Sequence, residues 1–314
     1  MWLIIVFQTV IPLLLIGMIA FMPQPSRLNW IITVIAFGMA LTFLWVAARW
    51  DIVSMYFRAA LPLLFVAAVV IGWRRFQAPE PPAGKLKKIF GLLINTAVAI
   101  LMSGFIWHSF SGYFVPDEAV DLASPLRDGR YVVLHGGASP FINGHFRVRP
   151  QNYALDVLGQ NLWGGRAEMF GDGHDLESYE IYGAALFSPC DGLVAVAVDR
   201  FEDQNPPVTD TENLAGNHVL IECKGVEVLL AHMKSGSVRV AVGDNVTTQT
   251  QLGQVGNTGN TSEPHLHMHA ERDGEPGVIL DGKAVPITIN GKFLVRSDIL
   301  SGQALGPPDG LPLK

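Results

Sequence analysis

Charge is scarce at the start of this sequence. The first 110 of its 314 residues hold 8 Lys/Arg and 2 Asp/Glu, whereas the remainder holds 14 Lys/Arg against 26 Asp/Glu. A balance that changes sign this way argues for two regions in different solvents. The acidic remainder lacks the basic footprint that a phosphate backbone requires, which excludes nucleic acid as a partner. It also lacks internal repeats, low-complexity tracts, long amphipathic helices and any parallel βαβ pattern. The first apolar segment has neither a basic n-region nor a small-residue cleavage site, so it does not read as a cleaved signal peptide. Cysteine is nearly absent, and both copies, Cys190 and Cys223, fall in the second region. Each flanks an expected strand, at 192–199 and 218–221. If these strands pair antiparallel, a disulfide is within reach in an oxidising compartment; two buried free thiols are the alternative.

What the first region has is apolar length. Four segments, at about 2–22, 28–48, 53–73 and 89–110, each approach the ~20 residues that a helix needs to cross a bilayer. They are expected to be transmembrane helices, with Pro12 in the first and Arg58 and Pro62 near the start of the third. Apart from Arg58 they carry almost no ionisable residue, which argues against a transport pathway. Arg74, Arg75, Lys85, Lys87 and Lys88 cluster between the third and fourth segments. By the positive-inside rule that loop faces the cytoplasm, so both the N-terminus and the chain after residue 110 lie outside. Arg27 agrees with this topology, and Arg49 and Arg58 oppose it.

The second region reads as a mainly antiparallel β domain. A connector is expected at 111–130, the domain at 131–300 and a Pro/Gly-rich tail at 301–314. Short runs rich in Val, Ile and Leu at 131–134, 153–158, 192–199, 218–221, 226–231, 237–240, 265–270 and 287–289 alternate with polar residues between Gly, Pro, Asn and Asp. Roughly 200 residues are enough to bury a core. Two polar, acidic insertions, 159–182 and 201–216, are expected to be surface loops of the kind that line a groove.

Eight of nine histidines also fall here: His135, His145, His174, His218, His232, His265, His267 and His269. On a strand, the period of two sends His265, His267 and His269 to one face, where imidazoles converge on a cation or a carbonyl. A catalytic zinc takes three protein ligands and leaves a fourth position open, so an H-x-H pair needs a partner from another strand.

Several stretches around this pattern resemble, in the right order, the lysostaphin/LytM-type zinc endopeptidases that cut bacterial peptidoglycan. SPCDG at 188–192 is similar to the family's A-P-x-x-G entry to a strand, and GNHVLIE at 216–222 to its G-N-x-V-x-I strand. LAHM at 230–233 resembles Y-x-H-L, and VGDNV at 242–246 resembles V-x-x-G-x-x-V. The run GQVGNTGNTSEPHLH at 253–267 is similar to the signature that ends in P-H-L-H. The resemblance spans about 130–300 and implies a β-sheet groove holding Zn²⁺. It makes His267 and Asp156, in YALD at 153–156, metal ligands, and His232 and His265 catalytic imidazoles; it gives His269 no role. One departure matters: where the family has the first His of H-x-x-x-D, this sequence has Asn152, and an amide is a poor zinc ligand. His145, in NGH at 143–145, is the candidate replacement; His135 and His174 are weaker candidates, and a metal-free site is the alternative. Thr250, in place of a usual Gly, concerns turn geometry.

The expected function is therefore a multi-pass protein of the bacterial cytoplasmic membrane, its C-terminal domain extracytoplasmic, that hydrolyses peptidoglycan peptides through a zinc-activated water. The alternative is a non-catalytic binding or regulatory domain, with a protein partner, that has lost a ligand at Asn152.

Overall fold

The computed structural model describes residues 2–75, 84–168 and 173–301. The chain divides into two compact units, 1–111 and 112–314. In the first, apolar composition gives long helices: α1 (Trp2–Phe21), α2 (Arg27–Ala47), a single turn α3 (Trp50–Val53), α4 (Met55–Arg75) and α5 (Lys85–Ser111). Among the described residues, four of these are long and apolar enough to cross a membrane. Pro12 and Pro62 sit inside continuous helices, and the third apolar segment breaks at Ser54 between α3 and α4. Leu63, Leu86, Phe90, Leu93 and Ile100 are exposed, as lipid-facing residues would be.

Polar side chains link α2 to α5. Asn29 Nδ2 on α2 donates to the Lys88 carbonyl on α5 at 2.8 Å, and Asn95 Nδ2 donates to Thr33 Oγ1 at 2.9 Å. A Cβ on Gly91 would meet Asn29 Nδ2 at 2.8 Å, so a small residue is what lets α2 and α5 approach. Arg58 has its guanidinium 3.7 Å from the Trp45 ring centre and donates through Nε to the Trp45 carbonyl.

The second unit is built on a nine-stranded sheet. In spatial order its strands are β13 (Ile299–Ser301), β2 (Arg130–His135), β3 (Leu155–Gly159), β10 (Leu266–Arg272), β7 (Val226–Met233), β6 (Asn217–Cys223), β5 (Gly192–Val198) and β8 (Asn245–Val246), with β11 (Lys283–Val285) also on β10. All pairs in this sheet are antiparallel. Two small sheets accompany it: β4 (Ala185–Phe187) with β9 (Gln251–Gln254), and β1 (Val120–Leu122) parallel to β12 (Ile287–Ile289). The expected connector at 111–130 thus contains β1, stitched to β12 through register pairs such as Val120 with Ile287. The expected strand at 237–240 does not form. Val238 donates its N–H to the Asp199 carboxylate, so a side chain supplies the partner that a ladder would have given. The insertion 159–182 carries a turn at Leu176–Ser178, and part of it, like the tail at 302–314, lies outside the described residues.

Period-two alternation divides the main sheet into two faces. Leu266, Met268 and Ala270 on β10 join Val228 and Leu230 on β7, Leu155 and Val157 on β3, and Val219 and Ile221 on β6 in the principal core. Each large side chain buried there is worth about 1.5–3 kcal/mol relative to exposure. The residues between them face the other way and form the floor of the site.

Cys190 and Cys223 are joined in a disulfide that closes a 33-residue separation. Because a cross-link of that span restricts the unfolded chain, removing it in a Cys190→Ser/Cys223→Ser variant should cost on the order of 3–4 kcal/mol. Thermal denaturation of the detergent-purified chain should show this as a lowered midpoint, reproduced in the parent chain by reductant.

Candidate metal and catalytic centre

Strand β10 lies centrally, with β3 on one side and β7 on the other. His267 is in register with Asp156 on β3 and with Ala231 on β7. Directly opposed residues share a face, so strand pairing alone brings the second histidine of H-x-H onto the carboxylate. His267 Nδ1 is 2.8 Å from Asp156 Oδ1, and both side chains are buried.

His145 arrives from a loop. The short turn Gly144–Arg147 is capped by Asn143, whose Oδ1 accepts from the His145 N–H. The Asn143 amide donates in turn to the carbonyls of Gly137 and Ala154. This places His145 Nε2 2.8 Å from Asp156 Oδ2. Asn152 reaches neither carboxylate oxygen; its Nδ2 donates to the Phe146 carbonyl at 2.7 Å and so braces the turn that carries His145. Neither His135 nor His174 belongs to a possible metal triad among the described residues, although His135 lies opposite Asp156 in the β2–β3 register and its ring packs edge-on against His145 at 5.5 Å. His135 Nδ1 accepts from Gly144 N–H, and His174 Nδ1 contacts the Pro206 carbonyl.

His232 reaches the same face by a backbone irregularity. By alternation, the residue after Ala231 would turn into the core with Leu230. Instead His232 adopts φ 61°, a left-handed conformation uncommon for a residue with a side chain. Its ring centre then lies 4.9 Å from that of His265 and 5.7 Å from that of His267. The glycine-rich turn 256–261 fixes it there. His232 Nδ1 donates to the Thr258 carbonyl at 2.8 Å, while Thr258 Oγ1 bridges the Met233 carbonyl and the Asn217 N–H. The turn packs directly on backbone: a Cβ on Gly256 would come within 2.3 Å of Lys234 Cα.

The same tautomer holds for His265, whose Nδ1 donates to the Glu263 carbonyl at 2.8 Å. Glu263 is anchored by a buried ion pair with Arg166, from the 159–182 insertion. In the neutral form each ring thus presents its Nε2 lone pair, and His265 Nε2 lies 3.8 Å from Asp156 Oδ1. His145, Gln151, Leu214, Ala231, His232 and His267 line a groove of about 260 Å³ over these atoms.

Two triads of donor atoms could each hold a metal ion, His145/Asp156/His267 and His232/His265/His267. The first, two imidazoles and a carboxylate, matches the ligand types of catalytic zinc sites. Hydrogen-bond accounting supports the fit. His269 Nδ1 lies 2.9 Å from His267 Nε2, and His269 Nε2 lies 3.2 Å from Glu271 Oε1. The Glu271 carboxylate also accepts from Leu280 and Gly282 N–H, so the His269 Nε2 must donate to it. Either a proton on His267 Nδ1 donates to Asp156 Oδ1, or the proton sits on Nε2, donates to His269 Nδ1 and leaves Nδ1 bare against Asp156 Oδ1. Two lone pairs at 2.8 Å require a proton or a cation between them. Sequence reasoning treated His269 as a bystander; its place on the His265 face was visible, but its contacts were not.

Electrostatics reflect burial working against the cluster. Desolvation opposes ionisation of Asp156, but the His145 and His265 charges and hydrogen bonds from His145 and His267 hold its carboxyl well below the usual range. Desolvation lowers His232 far below 6.5 and His267 to about 4. At His145, desolvation also opposes the charge, yet Asp156 wins and raises it.

A histidine depressed in the fold binds its proton better when unfolded, so its contribution is complete above 6.5 and is lost as pH falls towards the folded value. In chelator-treated protein the β unit should therefore lose stability between pH 6.5 and about 4, by on the order of 3 kcal/mol for His267 alone. His145 works in the opposite sense, contributing most below 6.5. Calorimetry across this range should show the midpoint falling, and His267→Gln should flatten the slope.

Residues 170–277 match the model of Peptidase family M23, which takes in His232, His265 and His267, while His145 and Asp156 precede the matched segment. No curated protein matches the chain. Among solved structures, a zinc-containing peptidase from Vibrio cholerae is 26% identical over 30% of this chain and 24% of its own, with a TM-score of 0.23. Helicobacter pylori Csd3 is 19% identical over 59% of this chain and 38% of its own, with a TM-score of 0.30. The catalytic domain of a mutant prophage-encoded M23 protein, EnpA from Enterococcus faecalis, is 20% identical over 38% and 79%, with a TM-score of 0.21. The chain thus spans less than two thirds of the length of the first two. Behind four helices apolar enough to span a membrane, this chain carries a Peptidase family M23 domain at residues 170–277.

Proposed function

We propose that the protein is a membrane-anchored zinc endopeptidase that hydrolyses peptide bonds of peptidoglycan outside the cytoplasmic membrane. The observation that carries this reading is His145 in contact with Asp156, because it supplies the third donor that Asn152 does not. A domain reduced to binding would have no need of a replacement ligand beside two further imidazoles. The positive cluster at Arg74, Arg75, Lys85, Lys87 and Lys88 supports an extracytoplasmic β unit.

His145, Asp156 and His267 would hold the zinc ion, which when bound lowers the pKa of water and polarises a scissile carbonyl. Asp156 keeps its negative charge in a buried site through its histidine partners, and once His145 and His267 are neutral, as ligands must be, the triad would present a net anionic cradle to a cation. His265 Nε2 accepts the proton that the attacking water gives up; its Nδ1–H, locked on the Glu263 carbonyl, keeps the ring aimed. The protonated ring then donates to the departing amine. His232, held by the Thr258 carbonyl with its ring centre 4.9 Å from that of His265, is the second imidazole available to the tetrahedral oxygen. The apolar groove wall of Leu214, Leu229 and Leu280 excludes water from one side of the peptide.

Purified in detergent from zinc-replete cells, the full chain should contain about one equivalent of zinc and release new amino groups from peptidoglycan. His265→Ala should lower turnover roughly 10²–10⁴-fold with zinc retained, whereas His145→Ala should lose the metal. Zinc below about a tenth of an equivalent in the parent chain would sink the enzyme reading and favour a binding or regulatory domain.

A further inference from the structure

His269 and Glu271 extend the cluster away from the groove. They continue the β10 face on which His267 lies, and each is 1% exposed. Their contacts form one line: His267 Nε2 to His269 Nδ1 at 2.9 Å, then His269 Nε2 to Glu271 Oε1 at 3.2 Å. The line ends in a fixed anchor, because Glu271 Oε1 also accepts from Leu280 N–H at 2.9 Å and Oε2 from Gly282 N–H at 2.7 Å. Both donors belong to the turn between β10 and β11. A Cβ on Gly282 would lie 3.0 Å from Glu271 Oε2, so the turn closes tightly over the carboxylate.

When a cation takes His267 Nδ1, one arrangement of protons satisfies the rest of the line. His267 then carries its proton on Nε2 and donates it to His269 Nδ1, while His269 Nε2–H goes to the Glu271 carboxylate beside the two backbone N–H groups. We propose that His269 and Glu271 are positioning residues: a buried relay that sets the ring orientation and tautomer of His267 so that its Nδ1 is presented unprotonated as a metal ligand. The inference rests on the zinc reading above and adds residues to it. Burial serves the relay twice: it excludes the water that would compete for His267 Nε2, and it makes leaving any of these groups unpaired costly.

Outer partners of this kind are worth about 10–100-fold in metal affinity. The test uses the full chain in detergent, with Zn²⁺ affinity measured by competition against a chromophoric chelator and Co²⁺ absorption as a second readout. His269→Leu preserves bulk but cannot accept a hydrogen bond; it should weaken Zn²⁺ binding about 10–100-fold and shift the Co²⁺ bands. In His269→Gln the amide oxygen can accept from His267 Nε2–H, and most of the affinity should return. A Leu variant that folds and binds Zn²⁺ as tightly as the parent overturns the relay and leaves the zinc reading standing. A parent chain that binds no Zn²⁺ removes the zinc reading and the relay with it. Should the Leu variant not fold, ¹⁵N-histidine NMR of the parent loaded with ¹¹³Cd²⁺ decides: cadmium coupling to His267 Nδ1 with a proton on Nε2 supports the relay, and coupling to Nε2 overturns it.

Discussion

The register of β10 between β3 and β7 is the constraint on which the rest depends. One face of β10 gives Leu266, Met268 and Ala270 to the core; the other gives His267, His269 and Glu271 to the polar cluster. A slip of one residue would drive three ionisable side chains into the core and expose the apolar set, so packing and chemistry enforce the same register. The pairing of His267 with Asp156 follows from it without any further device.

Around that strand, polar burial is tolerated because partners are supplied by backbone. Thr258 and Glu263 carbonyls take the Nδ1 protons of His232 and His265. Leu280 and Gly282 amides hold Glu271. These groups belong to turns, and the turns are held in place by close glycine contacts, the buried Arg166–Glu263 pair and the Thr258 bridge. Loops thus supply the backbone acceptors and donors together with His145, while strands supply Asp156, His232 and His267, a division suited to a site whose geometry must persist before a cation is bound.

Much of the architecture was legible in one dimension. Apolar runs of membrane-spanning length and the inversion of charge balance near residue 110 separate the two units, because bilayer and water impose opposite composition rules. Alternation located β2, β3, β5, β6, β7, β10 and β12, but it misplaced a strand at 237–240, where Val238 bonds a side-chain carboxylate. It also overlooked β1, β4, β8, β9, β11 and β13. Those strands are short, and their edges are defined by distant partners rather than by local pattern.

For the site, sequence alone determined the residue types and the shared face of His265, His267 and His269, because strand geometry converts spacing into direction. It could place Asp156 beside that face only through resemblance, and it left His145 and a metal-free site as alternatives. Tertiary structure decided three things. It brought His145 to Asp156 and turned Asn152 into a brace for that loop; it swung His232 back from the core through a positive φ; and it joined His269 to Glu271. The physical reason is common to all three: each depends on which backbone groups, from elements far apart in the chain, meet a side chain once the sheet has closed. No local pattern encodes such meetings.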